Sequence, residues 1–269
     1  MAEKFLIALD LDGTLLKDDK TISEKTKQVI QKAKAAGHIV MISTGRPFRS
    51  SEIYYRELEL NTPIVNFNGA FVHHPLDSGW GIFHTPLNIN IAKNIVDALQ
   101  SFKFNNIIAE VIDDVYFHYH DEKLLDIFGF GKPNITTGDL RQFLKDSPTS
   151  MLIHADESNV ETIRKHLTDV HAEVIDHRSW AAPWYVVEIV RYGLNKAVGL
   201  KKVADYYGIP RERVVAFGDE DNDLEMLDFA GKGIAMGNAI DKVKTIANEV
   251  TLTNEEDGIA VYLSELLNI

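Results

Sequence analysis

The chain has 269 residues, enough for one large domain or two modest ones with a real core. Hydrophobic residues make up 45% and charged residues 25%, the balance of a globular protein and not of a disordered, collagen-like or coiled-coil chain. Lysine plus arginine count 28 against 40 aspartate plus glutamate, a net charge of -12, which opposes nucleic-acid backbones and anionic membranes; the lack of cysteine removes disulfides, thiolate metal sites and a cysteine nucleophile.

Met1-Ala2-Glu3-Lys4-Phe5 leads directly into a strand-like run without the basic start and apolar core of a targeting peptide. No apolar run approaches the roughly 18 residues of a membrane span. The expectation is a cytoplasmic protein. The first apolar run, Phe5 to Leu9, is too short for a helix and ends in Asp10-Leu11-Asp12-Gly13-Thr14, which reads as a buried strand entering a polar loop. Thr21 with Glu24 three residues on suggests a capping box. Apolar spacing at Ile22, Thr26, Val29, Ile30 and Ala33, with Gly37 as the stop, predicts a helix between them.

Ile39 to Ile42 reads as a second strand, Ser43-Thr44-Gly45-Arg46-Pro47 as its loop, Phe48 to about Leu58 as a helix, and Ile64 to Phe67 as a third strand. Short buried strands alternating with helices predict parallel pairing in an open, Rossmann-like doubly wound sheet, an α/β fold. The same grammar returns at Asn195 to Tyr207 (helix), Val214 to Phe217 (strand), the acidic loop Gly218-Asp219-Glu220-Asp221-Asn222-Asp223, Ile234 to Met236 (strand) and Asp257 to Leu267 (helix). Between Leu87 and Val187, paired strands beside helices suggest α+β. This stretch predicts a core of residues 1–86 and 188–269 interrupted by an inserted α+β domain of residues 87–187.

In an open parallel sheet the ligand crevice lies beyond the carboxyl ends of the strands. Asp10 and Asp12, Ser43 and Thr44, and Asp219 and Asp223 all follow such ends, so they are expected to converge. Carboxylates at about 4 Å repel by about 4 kcal/mol per pair at an effective dielectric near 20 unless a cation sits among them. All-oxygen ligation suits magnesium. A calcium loop is excluded: one starting at Asp219 would place Leu224 and Ala230 where glycine and glutamate are needed, and one starting at Asp10 would place Leu15 and Thr21. Taken alone, Ser43 and Thr44 read as helix caps and Lys196 as an exposed helix lysine.

Asp10-Leu11-Asp12-Gly13-Thr14, Thr44-Gly45-Arg46, Asn66-Phe67-Asn68-Gly69-Ala70, Asn195-Lys196-Ala197, Gly218 to Asp223 and Met236-Gly237-Asn238-Ala239 together resemble, in order and spacing, the motifs of the haloacid dehalogenase superfamily and within it the Cof-type phosphatases. The resemblance implies a Rossmann-like core with a large α/β cap that closes over it. It implies that Asp10 is the nucleophile and forms an aspartyl phosphate, and that Asp12 is the general acid and base. It assigns magnesium to Asp10, the carbonyl of Asp12, Asp219 and, through water or from further out, Asp223. Thr44, Lys196, Asn222 and the backbone N–H groups near Leu11 and Gly45 would hold the phosphoryl oxygens, while Arg46 and Asn68 would face the substrate body.

The function so implied is a magnesium-dependent phosphatase for small phosphorylated metabolites, sugar phosphates or phosphorylated cofactors. The rivals are a phosphomutase of the phosphomannomutase type and a non-catalytic sugar-phosphate sensor. No nucleic-acid or membrane partner is expected, and the oligomeric state is not readable. His118 and His120, flanking Tyr119, are expected on one strand face without a third metal ligand. His73-His74 reads as hairpin surface, Gly231-Lys232-Gly233 lacks the setting of a dinucleotide loop, and Trp180, Trp184 and Tyr185 read as core.

Overall fold

The computed structural model describes residues 4–171, 174–180 and 185–269. They form two compact units: Met1–Arg46, Ser51–Phe83 and Asn195–Ile269 in the first, and Pro47–Ser50 with His84–Leu194 in the second.

The first unit opens with β1 (Leu6–Leu9), α1 (Glu24–Ala35), β2 (Ile39–Ile42), α2 (Phe48–Glu57, whose residues up to Ser50 belong to the second unit), β3 (Ile64–Asn66), β4 (Phe71–His73) and β5 (Ile82–His84, whose last residue belongs to the second unit). Every residue of β1 and β2 is buried, as expected for strands covered on both faces. Helix α1 buries Thr26, Val29, Ile30 and Ala33, one stripe at helical spacing. Its N-cap is Ser23, whose hydroxyl accepts from Thr26 N–H, and not Thr21. The helix begins at Glu24, which puts Ser23 and not Thr21 at the N-cap position, while the Thr21 hydroxyl donates to Asp19 Oδ1 at 2.6 Å.

The second unit is built from α3 (Ile89–Leu99), β6 (Asn106–Val111), β7 (Asp114–Phe117), α4 (Glu122–Phe128), β8 (Ile135–Thr137), α5 (Leu140–Phe143), β9 (Ser150–His154), α6 (Glu157–His171), β10 (Ile175–Trp180) and β11 (Val186–Arg191). Its six strands run in the order β10-β11-β9-β6-β7-β8, antiparallel except between β7 and β8. Alternation along these strands gives two apolar faces. Ile107, Ala109, Met151, Ile153, Val187 and Ile189 pack with Ile95 and Leu99 of α3 and Ile163 and Leu167 of α6, while Ile108, Phe117 and Leu152 pack with Leu124 and Phe128 of α4.

The chain completes the first unit with α7 (Lys196–Tyr207), β12 (Val214–Gly218), α8 (Leu224–Phe229), β13 (Lys232–Ala235), α9 (Asp241–Ile246), β14 (Glu249–Val250) and α10 (Gly258–Leu267). Its main sheet has the order β14-β13-β12-β1-β2 and all its pairings are parallel. The register pairs Leu9 with both Phe217 and Ile42, so the loops after β12, β1 and β2 leave the same edge side by side. Strand β3 does not join this sheet as a full member. It pairs antiparallel with β4 in a three-stranded sheet and meets the residue just after β2 in a parallel bridge, Ser43 to Val65. Toward the main sheet the pairing is parallel, as the sequence leads one to expect; the antiparallel β4 partner is the addition, because a short buried apolar run carries no mark of a second neighbour. No helix among the described residues is long and apolar enough to cross a membrane.

Candidate active site

The loop after β1 is a tight turn in which Thr14 N–H and Leu16 N–H donate to the carbonyl of Leu11, and Leu15 N–H to that of Asp10. Gly13 adopts φ +74, and a Cβ there would lie 2.2 Å from Asp219 Oδ2, so only glycine satisfies both the left-handed backbone and the close approach of the acidic loop. Thr14 donates its hydroxyl to Asp219 Oδ1 at 2.6 Å. From the far side Asn238 Nδ2 donates to the carbonyl of Gly13 at 2.8 Å, and Asn254 Nδ2 to that of Leu16 at 3.0 Å.

Lys196 is the first residue of α7, whose N-cap Asn195 accepts from Val198 N–H. The helix start approaches the Asn66–Ala70 loop so closely that a Cβ on Gly69, at φ +97, would meet the Asn195 carbonyl at 2.3 Å. This delivers the Lys196 ammonium, fully buried, to Asp10 Oδ1 at 2.6 Å and Asp223 Oδ1 at 2.7 Å. Asp223 also accepts from the Asp219 and Glu220 N–H groups through Oδ2, so it ties the acidic loop to the lysine. Burial alone would push the Lys196 ammonium toward its neutral form, but Asp10 and Asp223 more than reverse this and raise its pKa.

Burial, with Asp223 and Asp219 nearby, raises the Asp10 carboxyl well above its usual range against the pull of Lys196. Burial and Asp223 push Asp219 up to about 7, opposed by the Thr14 hydrogen bond and Lys196. Asp10, Asp219 and Asp223 each offer an oxygen within 4.8 Å of the others, and all three are buried. Three carboxylates facing one ammonium leave excess negative charge in a buried place, and an all-oxygen donor set fits a hard divalent cation. The chemistry of these donors therefore fits the expected metal.

The Asp12 carboxylate takes no part in that cluster. Arg46 grips it with Nε to Oδ2 and Nη2 to Oδ1, both 2.6 Å, and Lys20 Nζ adds a bond to Oδ1 at 2.9 Å. Partial burial would raise its pKa, but the Arg46 and then the Lys20 bonds and charges hold it down at about 2. Arg46, expected to face the substrate body, is thus engaged with Asp12 in this structure. The Thr44 hydroxyl accepts from Arg46 N–H at 3.1 Å, and the Thr44 carbonyl accepts from Asn68 N–H, which braces the Thr44-Gly45-Arg46 loop. Asn68 follows Phe67 in a left-handed pair, φ +51 after +50, a costly arrangement for non-glycine residues that marks functional sites. It turns the Asn68 amide toward Gly45, whose Cβ position lies 3.2 Å away, and toward Asn222, whose Nδ2 donates to Asn68 Oδ1 at 3.0 Å. Asn222 lies in the turn Asp221–Asp223 that precedes α8. The buried Leu11 separates the two loop carboxylates.

Two contributors carry no expectation from sequence. Thr14 lies inside the Asp10–Thr14 string, where a polar residue after glycine is the only signal. Lys20 lies outside every motif and has no signal. Other expectations resolve elsewhere. β7 ends at Phe117, so His118 and His120 share no strand face: His118 is buried and accepts from Leu140 N–H at Nδ1, while His120 is exposed. His74 is buried and not hairpin surface. Gly231 precedes β13 and Gly233 lies within it. Tyr185 packs against the core of the second unit; Trp184 and the Trp180 side chain lie outside what the structure describes.

Residues 7–263 match the family described as haloacid dehalogenase-like hydrolase. A relative from Bacillus subtilis, 5-amino-6-(5-phospho-D-ribitylamino)uracil phosphatase YitU, is 64% identical over 265 residues that cover 98% of each chain. The pyridoxal phosphate phosphatase YbhA of Escherichia coli is 30% identical over 96% of this chain and 97% of its own. Among solved structures, a haloacid dehalogenase-like hydrolase from Bacteroides thetaiotaomicron superposes with a TM-score of 0.84 at 26% identity, covering 98% of this chain and 100% of that one. The chain belongs to the haloacid dehalogenase-like hydrolases, in their Cof-type phosphatase branch.

Proposed function

We propose that the protein is a magnesium-dependent phosphatase that releases phosphate from a small metabolite through an aspartyl phosphate on Asp10. The observation that carries this reading is the buried Asp10 carboxylate, held by Lys196 at one oxygen and flanked by Asp219 and Asp223, with a second carboxylate two residues on.

Lys196 fixes the plane of the Asp10 carboxylate and favours its ionised form against the push of burial. An oxygen of Asp10 attacks phosphorus, the P–O bond to the substrate breaks, and Asp12, which has first to take up a proton against the hold of Arg46 and Lys20, passes it to the departing oxygen. Asp12, now a carboxylate, takes a proton from water as that water attacks the phosphorus; the bond to Asp10 breaks and inorganic phosphate leaves. Asp10, Asp219 and the Asp12 carbonyl, with Asp223 behind them, would hold magnesium, which would supply the positive charge that lets an anion approach a phosphate. Thr44, Asn222, Lys196 and the N–H groups at Leu11 and Gly45 offer donors to the equatorial oxygens. Asn68 aims Asn222, and together they face the part of the substrate next to the phosphate. The inserted unit, expected at 87–187, acts as the cap that selects the substrate.

The 64% identity with YitU across 98% of both chains favours 5-amino-6-(5-phospho-D-ribitylamino)uracil, a phosphorylated polyol bearing a pyrimidine, as the first substrate to test. A phosphate-release screen with magnesium, over this compound, pyridoxal phosphate, flavin mononucleotide and sugar phosphates, tests the reading. The ribitylaminouracil phosphate is expected to give the highest kcat/KM. Release from none of these compounds would refute the phosphatase, and a preference for another would refute the substrate.

A further inference from the structure

We infer that Lys20 and Tyr54 are positioning residues that, with Arg46, set the orientation of the Asp12 carboxylate. The inference rests on the reading of Asp12 as the proton carrier and extends it to two residues outside every motif.

Lys20 adopts φ +65, a left-handed conformation that costs a non-glycine residue roughly 1 kcal/mol or more. A tight turn holds it there: Lys20 N–H donates to the carbonyl of Lys17, and Lys17 N–H to that of Thr21. The largely buried Tyr54 of α2 donates its hydroxyl to the Lys20 carbonyl at 3.1 Å. The same Tyr54 ring lies under the Arg46 guanidinium, 5.5 Å from centroid to Cζ. One aromatic side chain therefore braces both cations that hold Asp12, Arg46 through its ring face and Lys20 through its backbone.

An exposed lysine–carboxylate pair is ordinarily worth about 0–1 kcal/mol and orders little. Here the lysine backbone is anchored and strained, and its ammonium shares Oδ1 with the Arg46 fork, so the two donors arrive from fixed, different directions. A carboxylate held at both oxygens keeps one orientation. Lys20 and Arg46 together fill Oδ1, while Oδ2 takes Arg46 Nε alone, so these donors fix which oxygen keeps an open acceptor position toward a substrate.

The test is a double-mutant cycle read with p-nitrophenyl phosphate and magnesium. Lys20→Met is expected to lower kcat about fivefold with KM within about twofold, and Lys20→Arg to restore most of it. In an Asp12→Asn background the same Lys20→Met change is expected to alter the residual rate less than about 1.5-fold, since the group it orients no longer carries protons. Tyr54→Phe, which deletes only the hydroxyl, is expected to lower kcat about twofold in the parent and not in Asp12→Asn. No loss in the parent, or equal losses in both backgrounds, would overturn the positioning role. Full activity of Asp12→Asn by itself would overturn the reading of Asp12 instead.

Discussion

Thr14 donates its hydroxyl to Asp219 Oδ1 at 2.6 Å across 205 positions of sequence, so the loop after β1 and the loop after β12 are joined by a buried hydrogen bond as well as by strand pairing. That donor fixes the Asp219 carboxylate beside Asp10 and Asp223, the arrangement by which an outer partner orients a metal ligand.

Thr14→Val should therefore weaken metal activation more than folding. The magnesium concentration for half-maximal activity is expected to rise about tenfold, with a stability loss of about 1–2 kcal/mol, and Thr14→Ser should behave like the parent. Magnesium titrations of phosphate release beside denaturant melts would show it. An unchanged magnesium requirement in Thr14→Val would remove Thr14 from the metal site.

Gly13→Ala is expected to abolish activity and cost at least about 2 kcal/mol, because it combines a strained left-handed φ with a Cβ placed on the Asp219 carboxylate. Thermal unfolding and a rate assay read both effects. A stable, active Gly13→Ala protein would mean that the two loops are not packed this tightly.

The Asp219 carboxyl, pushed up to about 7, links folding to pH in the opposite sense from an ordinary salt-bridged aspartate. The metal-free folded state holds a proton that the unfolded chain releases near pH 4, so stability is full below the unfolded value and falls as pH rises through about 7. In chelator at pH 8, Asp219→Asn should be more stable than the parent by about 2–4 kcal/mol while lacking activity. Magnesium should stabilise the parent and not the variant. Denaturant unfolding at pH 5 and 8 checks this, and a variant no more stable than the parent at pH 8 would contradict it.

His73 gives the opposite slope. Burial, with a smaller push from His74, lowers its pKa to about 4, so below about 6.5 the unfolded chain binds a proton that the fold does not. The stability it contributes is complete above that value and declines toward pH 4. Replacing it in His73→Gln should flatten the decline between pH 6.5 and 4 by about 1–2 kcal/mol, after allowance for its partial exposure. Parallel slopes for variant and parent would show that His73 is as solvated as a free histidine.

Much of the first unit could be read from the chain because β1, β2 and β12 are uninterrupted apolar runs that end in carboxylates or hydroxyls, and neighbouring parallel strands bring such ends together. Asp10 and Asp219 meet for that reason. Other features depend on contacts that no local pattern announces. Ser23 caps α1 because the helix starts at Glu24, two residues later than a Thr21 cap would have it. Asn68 reaches Asn222 through a left-handed pair that the dipeptide Phe67-Asn68 does not advertise. The His118 and His120 alternation holds only while a strand continues, and β7 stops one residue short. Lys20 is an ordinary surface lysine in sequence, and only the left-handed turn at φ +65 and the Tyr54 hydroxyl aim it at Asp12.

The most direct measurement is to mix enzyme, magnesium and substrate, quench in acid within the first turnover, and map the phosphoryl group by mass spectrometry. The account predicts one phosphoryl mass on the peptide containing Asp10 and none after Asp10→Asn. A phosphoryl group on any other residue, or an Asp10→Asn enzyme that still releases phosphate at the parent's rate, would contradict it.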